Sequence, residues 1–304
     1  MKRLTAATVL ICVLGMTLFA CQARAGQKRV FLVTMDQMDQ HWANVDKGCQ
    51  KAVKELGDAG FIYNWMAPDI KDDAKQIEII NNAVAAGADA LLLAANGPNA
   101  VTSSLREAED AGVKIFYVDS PADFPAIATF ATDNKAAGKT AGEEMIKTLK
   151  AAGKTSGTIG IVSVNAATAS TVAREAGFRE AFEGQGYELL ATQYGEGDVA
   201  KSKDIAANYI IQGCIGIFGA NEGSTTGVGN AIQEDGNKVV GVGFDNSDSI
   251  RNLIKGGALL CAMVQNPDVM GYMAVKAAAE ELSGGYKGPE LVDTGVTVMT
   301  KDKL

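Results

Sequence analysis

From residue 29 to residue 282, short β-rich runs alternate with amphipathic helical segments, and this rhythm constrains the fold more than any single motif. The strand candidates are Arg29–Thr34, Phe61–Met66, Ala90–Ala94, Lys114–Val118, Thr158–Ser163, Glu188–Gln193, Ile215–Gly219, Val239–Phe244 and Leu259–Val264. Each is an apolar run bounded by Gly, Pro, Asn or Asp, as strands buried on both faces tend to be. Between them, segments such as Ala43–Leu56, Lys135–Ala151 and Thr171–Gln185 carry apolar residues three and four apart, the spacing of one helix face. Gly57, Gly87, Gly186 and Gly213 stand just past helix ends, where a residue at positive φ closes the last turn. Strict alternation of this kind predicts parallel sheets with right-handed crossovers.

The amino terminus carries a separate signal. Lys2 and Arg3 precede an apolar run from Leu4 to Ala20, and Ala23-Arg24-Ala25 follows. A basic start, an apolar core and an Ala-x-Ala site predict a secretory signal peptide over residues 1–25. Leu18-Phe19-Ala20-Cys21 offers an alternative, a lipoprotein anchored through Cys21, although the bulky Phe19 fits that pattern poorly. Cleavage after Ala25 removes three basic and no acidic residues, so the net charge moves from −8 to −11. An acidic surface repels phosphate backbones, which excludes nucleic acid as a partner. No later stretch is long and apolar enough to span a membrane.

About 280 mature residues exceed what one hydrophobic core organises, so two domains are expected. No charged, Pro-rich or low-complexity linker divides them. Four β–α units end near Phe130 and a second series begins near Lys135. Two doubly wound lobes joined without a loose linker fit a hinged cleft. Cys49, Cys214 and Cys261 remain after cleavage. An odd and sparse set is no disulfide framework; buried free thiols are favoured over a Cys214–Cys261 bridge.

In open parallel sheets, ligands meet the carboxyl ends of strands. The residues found there are Asp36, Asp39, Gln40, His41 and Trp42 after the first strand, then Asp119 and Ser120 after the fourth. Asn165, Thr168 and Arg174 follow the fifth, Asn221 and Glu222 the seventh, Asp245 and Asn246 the eighth, and Gln265 the last. Any one of them could be a turn former or helix cap. As a set, carboxylates, carboxamides, a guanidinium and an indole suit a polyhydroxylated neutral ligand, whose hydroxyls both donate and accept and whose ring has an apolar face.

Catalytic motifs do not accumulate. His41 is the sole histidine, no Gly-x-Ser-x-Gly elbow is present, and no phosphate-binding Gly-x-x-x-x-Gly-Lys-Ser/Thr loop occurs. No metal-ligand spacing is clear. Neither cofactor nor metal is expected, and the chain is read as a binding protein rather than an enzyme.

Several stretches, taken in order, resemble the periplasmic sugar-binding proteins of the ribose/galactose type, the type I periplasmic binding proteins that serve ABC importers. They are Phe31–Trp42, Gly87–Ala94, Ile115–Asp119, Ala173–Phe178, Ile217–Glu222, Val240–Asp245 and Met263–Gly271, with Val242-Gly243-Phe244-Asp245 and Gln265-Asn266-Pro267-Asp268 the most specific. The resemblance implies two doubly wound parallel-sheet lobes joined by a three-strand hinge. Crossings are expected near Phe130–Asn134, Cys261–Gln265 and Gly285–Pro289. The first lobe then holds 29–130 plus 264–285, and the second 131–263 plus 286–304. The implied ligand contacts are Asp119, Arg174, Asn221, Asp245 and Gln265, with Asp39, His41 and Trp42 where the family places an Asn and two aromatic rings. Ser120 stands where ribose binders often carry Arg, and Gly195–Gly197 where a second-lobe aromatic is usual. These departures point away from ribose itself towards another pentose, a hexose, a deoxysugar or autoinducer-2. The implied partners of this expected monomer are a monosaccharide and an ABC permease, with a chemoreceptor or sensor kinase as the alternative reader.

Overall fold

The computed structural model describes residues 26–57 and 60–304. The expected signal peptide and Cys21 lie outside the described residues. Two sheets of the same plan form the framework. The first is built from β1 (Lys28–Val33), β2 (Phe61–Met66), β3 (Ala90–Leu93), β4 (Lys114–Val118), β5 (Ala128–Ala131) and β12 (Leu291–Asp293), in the order β12-β5-β4-β3-β1-β2. The second contains β6 (Gly157–Ser163), β7 (Tyr187–Leu189), β9 (Gly216–Gly219), β10 (Val240–Phe244), β11 (Cys261–Gln265) and β13 (Val296–Thr300), in the order β13-β11-β10-β9-β6-β7. A short β8 (Gln193–Tyr194) pairs with β6. Strand for strand the two orders correspond, so β4 and β10 hold equivalent central positions.

Among the described residues all strand pairings are parallel except one. β13 runs antiparallel to β11, Cys261 facing Thr300 and Gln265 facing Val296, so the all-parallel expectation fails at this edge. A parallel neighbour would need a helical crossover, whereas the chain returns from the first lobe directly beside β11.

Around the sheets lie α1 (Gln40–Leu56), α2 (Asp73–Ala85), α3 (Thr102–Asp110) and α9 (Pro267–Gly284) in the first lobe. The second lobe has α4 (Asn134–Ala151), α5 (Ala169–Phe182), α6 (Val199–Ile211), α7 (Glu222–Glu234) and α8 (Asp248–Lys255). Each lobe has a core on either face of its sheet. Leu32, Leu92 and Phe116 pack under α1 and α9, and Phe31, Leu91 and Ile115 under α2 and α3. In the second lobe, Phe178 of α5 continues an aromatic row with Phe218 and Phe244 of the sheet, opposite a cluster around Ile217, Val228 and Leu253. Cys49, Cys214 and Cys261 are buried free thiols in three different clusters.

The chain passes between the sheets after β5, after β11 and between β12 and β13. The third passage departs from the expected position. Residues 286–293 were expected in the second lobe; instead β12 pairs with β5, Leu291 opposite Thr129 and Asp293 opposite Ala131, so the crossing comes at Thr294–Gly295. Glycine at 295 takes φ 82° there, the left-handed region it enters at no steric cost.

Paired glycines bring helices together in both lobes. A Cβ on Gly138 of α4 would strike the carbonyl oxygen of Arg174, and one on Gly177 of α5 that of Lys135. In the first lobe, a Cβ on Gly48 of α1 would meet the Asp268 carbonyl and one on Gly271 of α9 that of Val45. The helices pack backbone to backbone at these points.

Candidate functional site

The carboxyl ends of β4 and β10 present one carboxylate each, and both are held in the same unusual conformation. Asp119 has φ 62° and Asp245 has φ 77°. Their amides donate to Phe130 O and Met263 O, each at 2.9 Å, so the next strand in each sheet fixes the turn. Aspartate enters this region more readily than most residues, and strain of this kind persists where surrounding structure over-determines it. The two carboxylates, one per lobe, are 3 % and 5 % exposed.

Arg174 joins them from the first turns of α5. Its Nε donates to Asn134 Oδ1 at 2.7 Å and its Nη1 to Ala220 O at 3.0 Å, while Nη2 lies 3.7 Å from Asp119 Oδ2 and makes no hydrogen bond. The guanidinium stacks over Phe244 at 4.2 Å. Aromatic packing and two fixed acceptors hold a donor that points into the cleft with capacity to spare. Asn221 caps α7, its Oδ1 accepting from Ser224 N at 3.1 Å, which leaves its Nδ2 unpaired and buried. At the hinge, Gln265 Nε2 donates to Asp245 Oδ1 at 2.7 Å and its Oε1 accepts from Thr132 at 3.0 Å.

His41 stands between the carboxylates. Nε2 is 2.9 Å from Asp119 Oδ2, and Nδ1 is 3.5 Å from Asp245 Oδ1. The Nε2 contact has the distance of an ion pair, although its alignment is poor for a hydrogen bond. Burial disfavours the imidazolium, but contact with the two carboxylates outweighs it and lifts the pKa to about 10. The same charges hold Asp119 below the usual range and bring Asp245 down to about 2, against the opposing effect of burial. With both ring nitrogens protonated and facing carboxylates, His41 has no lone pair with which to act as a base on a hydroxyl.

Trp42 is 4 % exposed, belongs to the first lobe's core, and meets His41 edge to face at 4.7 Å. Its Nε1 donates to Asp36 Oδ2 at 3.3 Å. Asp39, Trp42 and His41 all line the cavity with Asp119, Arg174, Asn221, Asp245 and Gln265, giving a volume of about 20 Å³. That is room for about one water, so a larger ligand enters with the lobes apart. Ser120 is the one expected site residue outside this lining: its Oγ accepts from Ser170 N at 3.3 Å and braces the start of α5 across the cleft.

Two further residues matter here, Lys71, which the strand-end reading did not name, and Glu222, which it named without a role. Lys71, in the loop after β2, reaches the lining and pairs with Asp36 and Asp39. Glu222, at the start of α7, crosses to the first lobe, where its carboxylate accepts from the backbone N–H of Gln40 and of His41, both at 3.0 Å. The side chain of Asp39, at the N-cap of α1, makes no capping bond, so the other lobe satisfies the helix. Burial and the neighbouring Asp39 and Asp245 raise Glu222 to about 7, despite those two N–H donors.

These shifts fix a pH dependence. The closed form keeps a proton on His41 between its ordinary value of 6.5 and about 10. The stabilisation is therefore fully present below 6.5 and lost as pH rises through 10. The raised pKa of Glu222 acts in the same direction between 4.5 and 7. Thermal midpoints should fall steadily from mildly acid to alkaline pH, and less steeply in His41→Gln. A flat profile in the parent protein would contradict the bridged arrangement.

Among the described residues no group of three or more His, Cys, Asp or Glu could hold a metal, and no helix is long and apolar enough to cross a membrane.

Comparison with known proteins gives a consistent picture. A family described as a periplasmic binding protein domain matches residues 30–286. The D-ribose/D-allose-binding protein of Pseudomonas aeruginosa is 24 % identical over 98 % of each chain. The ribose import binding protein of Haemophilus influenzae is 27 % identical over 93 % of this chain and 94 % of its own. Among solved structures, a carbohydrate transporter solute-binding protein from Agrobacterium radiobacter in complex with D-arabinose has a TM-score of 0.86 at 29 % identity, covering 91 % of this chain and 96 % of that one. An ABC transporter solute-binding protein from Agrobacterium vitis with bound D-fucose has a TM-score of 0.84 at 28 % identity, over 90 % and 96 %.

Proposed function

This chain belongs to the periplasmic binding protein domain family, and from that premise we propose that it is an exported, non-enzymatic solute-binding protein. It captures a small neutral sugar by hinge closure and delivers it to the permease of an ABC importer. The observation that carries this reading is the convergence of Asp119 from one lobe and Asp245 from the other, with Arg174, on one buried cavity between the lobes. A ligand held by groups from both lobes stabilises the closed arrangement, because it binds that state better than the open one. The periplasm is the destination this reading implies, whether the mature chain is free or tethered through Cys21. Asp39, His41, Trp42, Asn221 and Gln265 complete the proposed polar cage.

The sugars bound by similar proteins supply the first probes. Thermal denaturation with D-ribose, D-allose, D-arabinose and D-fucose, followed by other pentoses, hexoses, polyols and autoinducer-2, should find one ligand that raises the midpoint. At a hundred times its dissociation constant, a ligand adds about 2.7 kcal/mol of stability. That corresponds to a rise of roughly 5–10 °C for a chain of this size. A protein that shifts with none of them, or that converts one into product, is not the binder proposed.

A further inference from the structure

Lys71 belongs to the first lobe, yet its side chain lies against the second. A Cβ placed on Gly197 would sit 2.9 Å from Lys71 Nζ and 3.0 Å from Cδ and Cε. Gly197, at φ 74°, therefore supplies the space into which the lysine extends when the lobes close. The side chain is 6 % exposed and forms part of two walls, that of the inner cavity and that of an outer groove of about 820 Å³. With Asp39, it separates the two.

The ammonium is bound on one side only. Nζ donates to Asp36 Oδ2 and, at 2.8 Å, to Asp39 Oδ2. An ammonium has three N–H donors, and no further acceptor for Lys71 occurs among the described residues. Asp36 is saturated: Oδ1 accepts from Met38 N and Asp39 N, and Oδ2 from Trp42 Nε1 as well as Lys71. Asp39 is not, since among the described residues Lys71 is its one hydrogen-bond donor and its second oxygen has none. One spare N–H and one spare carboxylate oxygen therefore belong to two bonded residues that both line the cavity.

We propose that Lys71 is a ligand-contacting residue which, with Asp39, forms a donor–acceptor pair for a sugar hydroxyl. Both residues belong to the first lobe, and in this closed arrangement the lysine lies over Gly197 of the second. A charged donor beside a charged acceptor can bind a hydroxyl as both acceptor and donor, and each such bond is stronger than a neutral one. Through Asp36 the same lysine also fixes the indole of Trp42. This inference rests on the sugar-binding reading of the cavity.

The test measures affinity for D-ribose, D-arabinose, D-allose and D-fucose by calorimetry. It uses the wild-type protein and the variants Lys71→Met, Asp39→Asn, Lys71→Met/Asp39→Asn and Asp36→Asn/Lys71→Met. The last keeps the net charge of the buried cluster and serves if the single lysine variant is poorly folded by circular dichroism. Lys71→Met should weaken the best wild-type ligand about tenfold or more, the loss of a charged hydrogen bond. Combined with Asp39→Asn it should lose much less than the product of the two single effects, because the two residues act as a unit. A folded lysine variant that binds within twofold of wild type overturns the inference, as do independent, multiplicative losses. Binding of none of the sugars by wild type overturns the sugar reading and this inference with it.

Discussion

Arg174→Ala is expected to weaken sugar binding by roughly a hundredfold or more, the range seen when one partner of a buried charge cluster is removed. The guanidinium holds several groups of the site together. Asp119 and Asp245 are buried, ionised and directed at one cavity, with His41 and Arg174 as the cations nearest them. Without Arg174, two desolvated carboxylates share one imidazolium, and the donor that Nη2 offers the ligand is gone. Arg174→Lys should rescue little. Nε on Asn134, Nη1 on Ala220 and the stack over Phe244 use the planar fork, which a lysine lacks. Calorimetric titration of a folded variant checks this, and affinity within threefold of wild type would remove Arg174 from the site.

Gly138→Val should produce the largest loss of stability, about 3 kcal/mol or more by overpacking of a closed helix contact. For a protein of this size that is a fall of roughly 6–12 °C in midpoint. The obstruction is the Arg174 carbonyl, which is backbone and cannot rotate aside. α5 must therefore move as a unit and carry Arg174 with it, so affinity should drop together with the melting temperature. A variant that loses stability but keeps full affinity would mean that the helix pair does not set the arginine's position. Scanning calorimetry and titration on the same preparation separate the two effects.

Much of this was legible in the primary structure because strand ends are positional. Polar residues at the carboxyl ends of buried parallel strands gather where ligands meet the sheet or cap the next helix, which is how Asp119, Asn221, Asp245 and Gln265 could be named without coordinates. Lys71 follows from the same rule applied to the loop after Phe61–Met66, but only as one polar residue among several, since its reach across to Gly197 depends on closure. Glu222 was visible at a strand end. Its role as the cap of a helix in the other lobe was not, because nothing local marks a helix whose partner lies 181 and 182 positions away. Ser120 shows the opposite failure: it has the right place in sequence, yet its hydroxyl turns to Ser170. β12 was missed because Leu291–Asp293 is three residues long with one side chain half-buried. So short a run carries no period, and the third crossing was therefore expected too early.

The position of β12 has a consequence for how the molecule is made. The first lobe's sheet begins at Lys28 and is not complete until Leu291–Asp293 arrives beside β5. α9, which seals that lobe's core against α1, is nearly as late. A chain emerging from its amino terminus must carry an unfinished first lobe, with one core face uncovered and one sheet edge open, while the whole of the second is produced. Pairings of such long sequence separation are slow to form, and exposed edges of this kind invite aggregation. Maturation should therefore be governed by the last tenth of the chain, and truncations before residue 291 should accumulate as aggregates rather than as a folded single lobe.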